Sequence, residues 1–198
     1  MIVAHAAAGE FLDWWFDPSM RAGAAAPLSR RLGYRLWCGD HGVRPDFPRA
    51  FDSGWQQFAG CEAAVLLHAA RLYGALLAVR EGRHGALTEL HSGERRWSLA
   101  TAAIQPLARL CQPGGDLQCD GLREFACAME AGFPGMWDRL RLSLPAEPAA
   151  DAGAALTAFV LRGMAAGAAS GAAARRRLRC WCLCLEQAGK GRLQGESA

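Results

Sequence analysis

The stretch from Cys61 to Val79 constrains this chain most, because it is the longest run of mostly good helix formers without a proline. Large apolar side chains recur in it at helical spacing over a broad arc, which predicts a helix covered by other elements on two sides. Its third side is a stripe of small residues interrupted by His68 and Arg71. That stripe either faces water or allows a second helix or a partner to approach closely.

The composition favours one mainly α-helical domain around this helix. The chain has 198 residues and is 52% hydrophobic, which is typical of a globular protein, and much of that content is alanine, a strong helix former. We predict an all-α fold with a single irregular helical domain over residues 1–189. Residues 1–60 would pack on it as an irregular N-terminal part, and residues 190–198 would form a flexible tail.

Proline, glycine and capping residues divide the rest of the chain. Asp52 or Ser53 and Asp116 are predicted helix caps. The region from 86 to 110 is expected to form two short helices with a break within 93–99. The other expected helices span residues 10–16, part of 28–37, 116–132, 135–140, 152 to about 168, and 171–189.

Residues 145–151 are interpreted as a linker, with Asp151 capping the helix that follows. The strict alternation from Arg139 to Pro145 predicts a short extended segment near 139–145.

No sequence pattern indicates catalysis. The chain lacks a phosphate-binding glycine loop, a GxSxG, an HExxH and a CxxC pair. His68 has no carboxylate near it in sequence beyond Glu62, and Glu124 and Glu130 are expected on the polar side of their helix. We therefore predict a protein that is not an enzyme and uses no cofactor.

The cysteine pattern does not match a metal site. Cys180, Cys182 and Cys184 would share one face only in a strand, whereas their flanking residues favour a helix and no histidine lies nearby. Cys38 and His41 have the spacing of half a zinc site without the other half. Buried reduced thiols are the better interpretation, and we predict no metal.

Charge and hydropathy favour neither nucleic acid nor a membrane span. The net charge of +3 is almost wholly arginine, and its one cluster, at 175–179, is typical of a solvated helix end. The apolar stretch 152–174 carries Arg162 near its middle, which disfavours insertion. The first residues lack the basic start of a signal peptide, so we expect a cytoplasmic protein without a membrane span.

The leucine-rich LLHAARLYGALL, the broken helical middle, and above all the segment MWDRLRLSLPAEP at 136–148 resemble the SctK family of type III secretion systems, also known as YscK. The distinctive residues are a tryptophan followed by an Arg-Leu alternation that ends in Leu-Pro. The resemblance covers roughly residues 60–150.

This resemblance implies a non-catalytic, mainly helical cytoplasmic adaptor of the sorting platform, at the cytoplasmic face of the bacterial inner membrane. Its protein partners would be the cytoplasmic domain of an SctD-like inner-membrane ring component and an SctQ-like pod protein. As a hypothesis, Trp137, Arg139 and Arg141 mark one partner surface, and His68 with Arg71 on the small-residue stripe marks another. The plainer interpretation is a core tryptophan with solvated arginines.

Two other function classes stay open at this stage. A helical ligand-binding or regulatory module would have an apolar pocket beside the small-residue stripe, with His68 and Arg71 as its polar groups. An enzyme of unrecognised type would gather His68 or His41 with a carboxylate or a cysteine.

Overall fold

The computed structural model describes residues 8–16, 30–163 and 171–195, and within these ranges it contains helices and no strand. The all-α prediction is therefore confirmed. The α-helices are α1 (Ala8–Phe16), α2 (Arg30–Asp40), α3 (Ala63–Arg80), α4 (Ser92–Ile104), α5 (Leu117–Gly132), α6 (Met136–Leu140), α7 (Ala146–Leu161) and α8 (Gly171–Gly195), with 3₁₀ helices at Ser53–Phe58, His84–Glu89 and Arg141–Ser143.

Helix α3 is the centre of the fold, as its proline-free sequence predicts. It packs against α4, α5 and α8, and Leu66, Leu72 and Leu76 are fully buried. Complete burial of one such side chain stabilises the fold by about 1.5–3 kcal/mol. The helix therefore draws its stability from all its neighbours rather than from a single apolar face.

Helices α3 and α5 approach each other closely at two glycines. A Cβ atom added to Gly74 would lie 1.9 Å from the carbonyl oxygen of Leu117, and one added to Gly121 would lie 1.8 Å from that of Ala70. Both distances are far below van der Waals contact. Only glycine fits at these positions, because the obstacle on each side is a backbone carbonyl.

Helix α8 closes the core through stacked aromatic rings. The rings of Tyr73 and Trp181 are parallel within 8°, with centroids 4.0 Å apart, and Phe125 meets Trp181 edge-on at 4.6 Å. Cys180 and Cys184 flank this tryptophan in the core. The helix runs on to Gly195 rather than ending at Gly189 as the sequence predicted.

The N-terminal part packs on the body through a second aromatic group. Phe11 and Trp15 of α1 are buried, and both contact Phe133 just beyond α5, at centroid distances of 5.6 and 5.4 Å. Phe47, from the loop after α2, meets Trp15 at 5.0 Å. The predicted helix at residues 10–16 thus exists and serves as an anchor.

The predicted extended segment near 139–145 is wrong. Residues 136–143 form α6 and a 3₁₀ turn, and Leu144 follows as the cap of that turn. Leu140 and Leu144 are buried, and Leu142 is half-buried. Leucines at every second position include pairs four apart, so an alternating run also matches a helical turn. Tertiary contacts of the flanking residues select the helical turn over the extended strand.

The predicted linker over 145–151 is also wrong, because α7 begins at Ala146. Pro145 occupies the cap and Pro148 lies in the first turn, where backbone N–H groups have no partner within the helix and a proline loses nothing. Asp151 lies inside α7 and accepts a hydrogen bond from Arg123 Nε at 2.7 Å instead of capping a helix.

The predicted break within 93–99 does not occur, since α4 is continuous from Ser92. A reciprocal cap holds its start: the side chain of His91 accepts from the backbone N–H of Glu94, and Glu94 Oε2 accepts from the backbone N–H of His91 at 3.2 Å. Caps at Asp52 and Asp116 are confirmed, with carboxylate oxygens 2.9 and 2.7 Å from the backbone nitrogens of Gly54 and Cys119.

One described helix has the length and apolar composition of a membrane span. This helix is α3, with a mean hydropathy of 1.4 over 18 residues, and 56% of that window is buried inside the fold. A core helix enclosed by its neighbours meets the same criterion. The stretch 152–174 is interrupted, because α7 ends at Leu161 and Gly163 turns the chain with a positive φ of 68°.

Candidate functional site

An open groove of about 1000 Å³ runs beside the small-residue stripe of α3. Its lining residues come from α3, the start of α4, the start of α5 and the end of α8. The lining residues are Ala64, Val65, Leu67, His68, Arg71, His91, Gly93, Glu94, Gln118, Gln187, Ala188 and Lys190. The small-residue stripe of α3, which consists of Ala64, His68, Arg71, Ala75 and Ala78, is therefore split. Its first three members line the groove, whereas Ala75 and Ala78 are buried in a cluster with Leu87, Leu90 and Leu117.

His68 and Glu94 form the best-defined polar contact in the groove. Nε2 of His68 lies 2.6 Å from Oε1 of Glu94, while the other carboxylate oxygen caps α4 through the backbone of His91. Both oxygens of Glu94 thus have protein partners. The cap fixes the carboxylate, and the carboxylate in turn fixes the orientation of the imidazole.

Two cations border the groove outside this pair. Arg71 donates from Nη2 to the carbonyl of Glu89, which ties α3 to the turn before α4, and Lys190 is exposed at the end of α8. A guanidinium has five N–H donors, so one such bond leaves others for a ligand. Within the described residues that line the groove, Glu94 is the only carboxylate.

The structure places Trp137 and Arg139 in the interior, where a partner cannot reach them. Trp137 is 1% exposed and Arg139 is 0% exposed. The Arg139 guanidinium lies 3.5 Å over the ring of Trp15 and donates to the backbone carbonyls of Trp15, Gly135 and Arg44 and to the hydroxyl of Tyr34. Burial lowers the pKa of Arg139 from its ordinary value.

The contacts of Arg139 form a clamp on the N-terminal part, and Arg141 and Arg44 extend it. Arg141 donates to the carbonyls of His41 and Gly42, and Arg44 bridges Glu130 and Asp138. The interpretation of Trp137 as a core residue is therefore correct, whereas Arg139 is buried rather than solvated and Arg141 is partly exposed. Charge reversal at Arg139 would disrupt the fold and would not test partner binding.

Glu124 is not on a polar surface, contrary to the expectation from its helix. It is 1% exposed and accepts hydrogen bonds from the backbone nitrogens of Leu110 and Cys111 at 2.8 and 2.9 Å. Burial raises the pKa of Glu124, and these two donors offset part of that rise. The carboxylate anchors the loop before α5, a structural task that the local pattern does not reveal.

A second buried carboxylate, Asp120, joins two arginines. Asp120 Oδ2 lies 2.6 Å from Arg83 Nη2 and 2.7 Å from Arg109 Nη2, and both arginines also contact Glu81. Burial raises the pKa of Asp120, but the hydrogen bonds from Arg109 and Arg83 outweigh it and leave the pKa below its usual value. This network ties the end of α3 to the start of α5.

The cysteines do not assemble a metal centre in the described part of the chain, where no group of three metal-ligating side chains occurs. Within the helical CxCxC, Cys180 and Cys184 are buried, and Cys182 accepts a hydrogen bond from Gln57 Nε2 at 2.9 Å. Burial raises the pKa of the Cys180 thiol to about 11.

The structure brings His68 and Arg71 to one groove and leaves Trp137, Arg139 and Arg141 at a separate junction, where Trp137 and Arg139 are buried and Arg141 is partly exposed. Sequence reasoning missed Glu94, His91, Gln118, Gln187 and Lys190. The spacing of His91 and Glu94, a cap and the third helical residue, is the one local signal that would have placed a carboxylate at the start of α4.

Comparison of the chain with protein-family models, curated proteins and solved structures finds no match in any of the three.

Proposed function

We propose that this protein is a non-catalytic cytoplasmic adaptor of a bacterial type III secretion sorting platform. The observation that carries the proposal is the segment 136–148, whose Trp137, Arg-Leu alternation and Leu144-Pro145 resemble the SctK family. An SctD-like ring component and an SctQ-like pod protein are the partners that this resemblance implies. The adaptor would act by position, holding the pods in register with the membrane-embedded base.

The architecture is compatible with such a role. Segment 136–148 joins the N-terminal part to the helical body, through Arg139 and Arg141 on one side and the buried Trp137 on the other. An adaptor needs its two surfaces at a fixed distance, and this junction fixes two parts of the chain against each other. The partner surfaces then belong elsewhere, and the groove at His68 and Arg71 is a candidate for one of them.

A pull-down from the native bacterium tests the proposal. The tagged protein is captured at low and moderate salt, and its partners are identified by mass spectrometry. We expect ring and pod components, with recovery that falls as salt screens charged contacts at an exchangeable interface. Recovery of neither component by folded protein would overturn the proposal, and a gene neighbourhood without secretion components would count against it.

A second candidate function is a ligand-binding or regulatory module, and the groove is the observation that favours it. Its volume of about 1000 Å³ lies at the upper end of the range of about 300–1000 Å³ for small-molecule sites. Native mass spectrometry of the purified protein discriminates between the two functions. A co-purified small molecule that is lost when Ala64→Trp fills the groove would support the module.

A further inference from the structure

We propose that the groove between α3, the start of α4 and the end of α8 binds an acidic, aliphatic segment of a partner protein. This inference rests on the proposed adaptor function, because it identifies one of the surfaces through which such a protein would hold a partner. Its apolar lining residues, Ala64, Val65, Leu67 and Ala188, suit aliphatic side chains.

Charge complementarity assigns the acidic character. Both carboxylate oxygens of Glu94 already have protein partners, in His68 and in the backbone N–H of His91, so the groups that still offer hydrogen-bond donors and charge to a ligand are Arg71 and Lys190. A carboxylate that reaches either cation gains charge-assisted hydrogen bonds, and a basic segment would be repelled. The groove therefore selects a ligand by the sign of its charge as well as by its shape.

The polar amides and the open shape favour a chain segment over an enclosed small molecule. Gln118 and Gln187 stand on the walls, and each amide both donates and accepts, as the backbone of a bound peptide requires. The groove is open to solvent, so a chain segment can occupy it and continue beyond it. A small ligand there would leave much of its own surface in water.

Site-specific photo-crosslinking in the native bacterium tests the inference. A photoreactive benzoylphenylalanine replaces Gln187 in the groove, and the matched control carries it at Gln112, an exposed glutamine in the loop before α5. Mass spectrometry identifies the crosslinked peptide itself. We expect position 187 to capture a peptide that contains Asp or Glu beside aliphatic residues, and position 112 not to capture it.

Two further variants separate charge from shape. Lys190→Glu should lower the crosslink yield about fivefold, the effect of one surface charge contact near the upper end of its range, and Ala64→Trp should abolish it by filling the groove. Arg96→Glu makes the same charge change on an exposed part of α4 outside the groove and should leave the yield unchanged.

Several results would overturn the inference. These are a captured peptide without carboxylates, equal yields from positions 187 and 112, insensitivity to Lys190→Glu, and a groove filled by a small molecule. Failure of the adaptor function gives a different pattern: an acidic segment is still captured at position 187, but it belongs to neither a ring nor a pod component. Conversely, if the Lys190→Glu protein recovers ring and pod proteins as well as the natural protein does, the adaptor function stands and the groove is not one of its partner surfaces.

Discussion

Replacing Gly121 with alanine should destabilise the protein although alanine is the better helix former. Gly121 lies inside α5, and its new Cβ atom would sit 1.8 Å from the carbonyl oxygen of Ala70 on α3. Ordinary contact distances begin near 3.4 Å. Helices α3 and α5 would have to separate by about 1.5 Å, which opens gaps along a close-packed interface.

Two opposing contributions set the magnitude. Alanine gains about 1 kcal/mol over glycine in a helix interior, whereas overpacking a core costs about 1–3 kcal/mol or more. The obstacle here is a backbone carbonyl in the central helix, which cannot rotate away as a side chain would, so the cost should exceed the usual range. We expect a net loss of about 2–3 kcal/mol in the free energy of unfolding.

Urea unfolding followed by circular dichroism and tryptophan fluorescence measures this change. The matched control is Gly153→Ala in α7, where an added Cβ atom meets nothing within 4 Å, and which should gain about 0.5–1 kcal/mol. If Gly121→Ala were as stable as the natural protein or as Gly153→Ala, the close approach of α3 and α5 would be refuted.

Three further changes should have distinct signatures. Asp120→Asn should remove about 2–3 kcal/mol from the free energy of unfolding at pH 7, less than the loss of a fully buried ion pair, because Arg83 is partly exposed. The folded pKa of Asp120 lies below its unfolded value. The contribution of the carboxylate is therefore complete above the unfolded pKa of about 3.9 and is lost as the pH falls through the lower folded pKa, so the variant and the natural protein should converge in acid. Arg139→Met should lower the free energy of unfolding by about 1–3 kcal/mol, because it leaves backbone carbonyls unpaired. Limited proteolysis of this variant should cleave near Trp15 before it cleaves the helical body. No such order of cleavage would be seen if the clamp did not hold α1. Trp181→Ala should cost about 3–5 kcal/mol in urea unfolding, and a loss below 1 kcal/mol would contradict the stacked core.

The sequence predicts the body of the fold better than its junctions. The central helix was placed within two residues because nineteen residues without proline leave few alternatives. Conversely, an alternating run such as 139–145 matches both a strand and a helical turn, and Pro145 and Pro148 mark a helix start as readily as a linker. In both cases the choice depends on contacts with distant residues.

The groove was only half predictable. The small-residue stripe directed attention to His68 and Arg71, which do line it. Its other walls come from α5 and α8, far away in sequence, so Gln118 and Lys190 carry no local signal of their role. Arg139 shows the same limit, because a buried arginine whose acceptors are mainly backbone carbonyls has no complementary side-chain pattern to detect.

The acceptors of Arg139 have a consequence for how such a chain can evolve. Three of its four partners are main-chain oxygens, at Trp15, Gly135 and Arg44, and every amino acid supplies that oxygen. Outside its aromatic anchors, Phe11, Trp15 and Phe47, the N-terminal part can therefore change its side chains without losing the main-chain acceptors of Arg139. Divergent relatives of this protein should keep Arg139 and these aromatic anchors, and should differ more widely at the other positions of the N-terminal part.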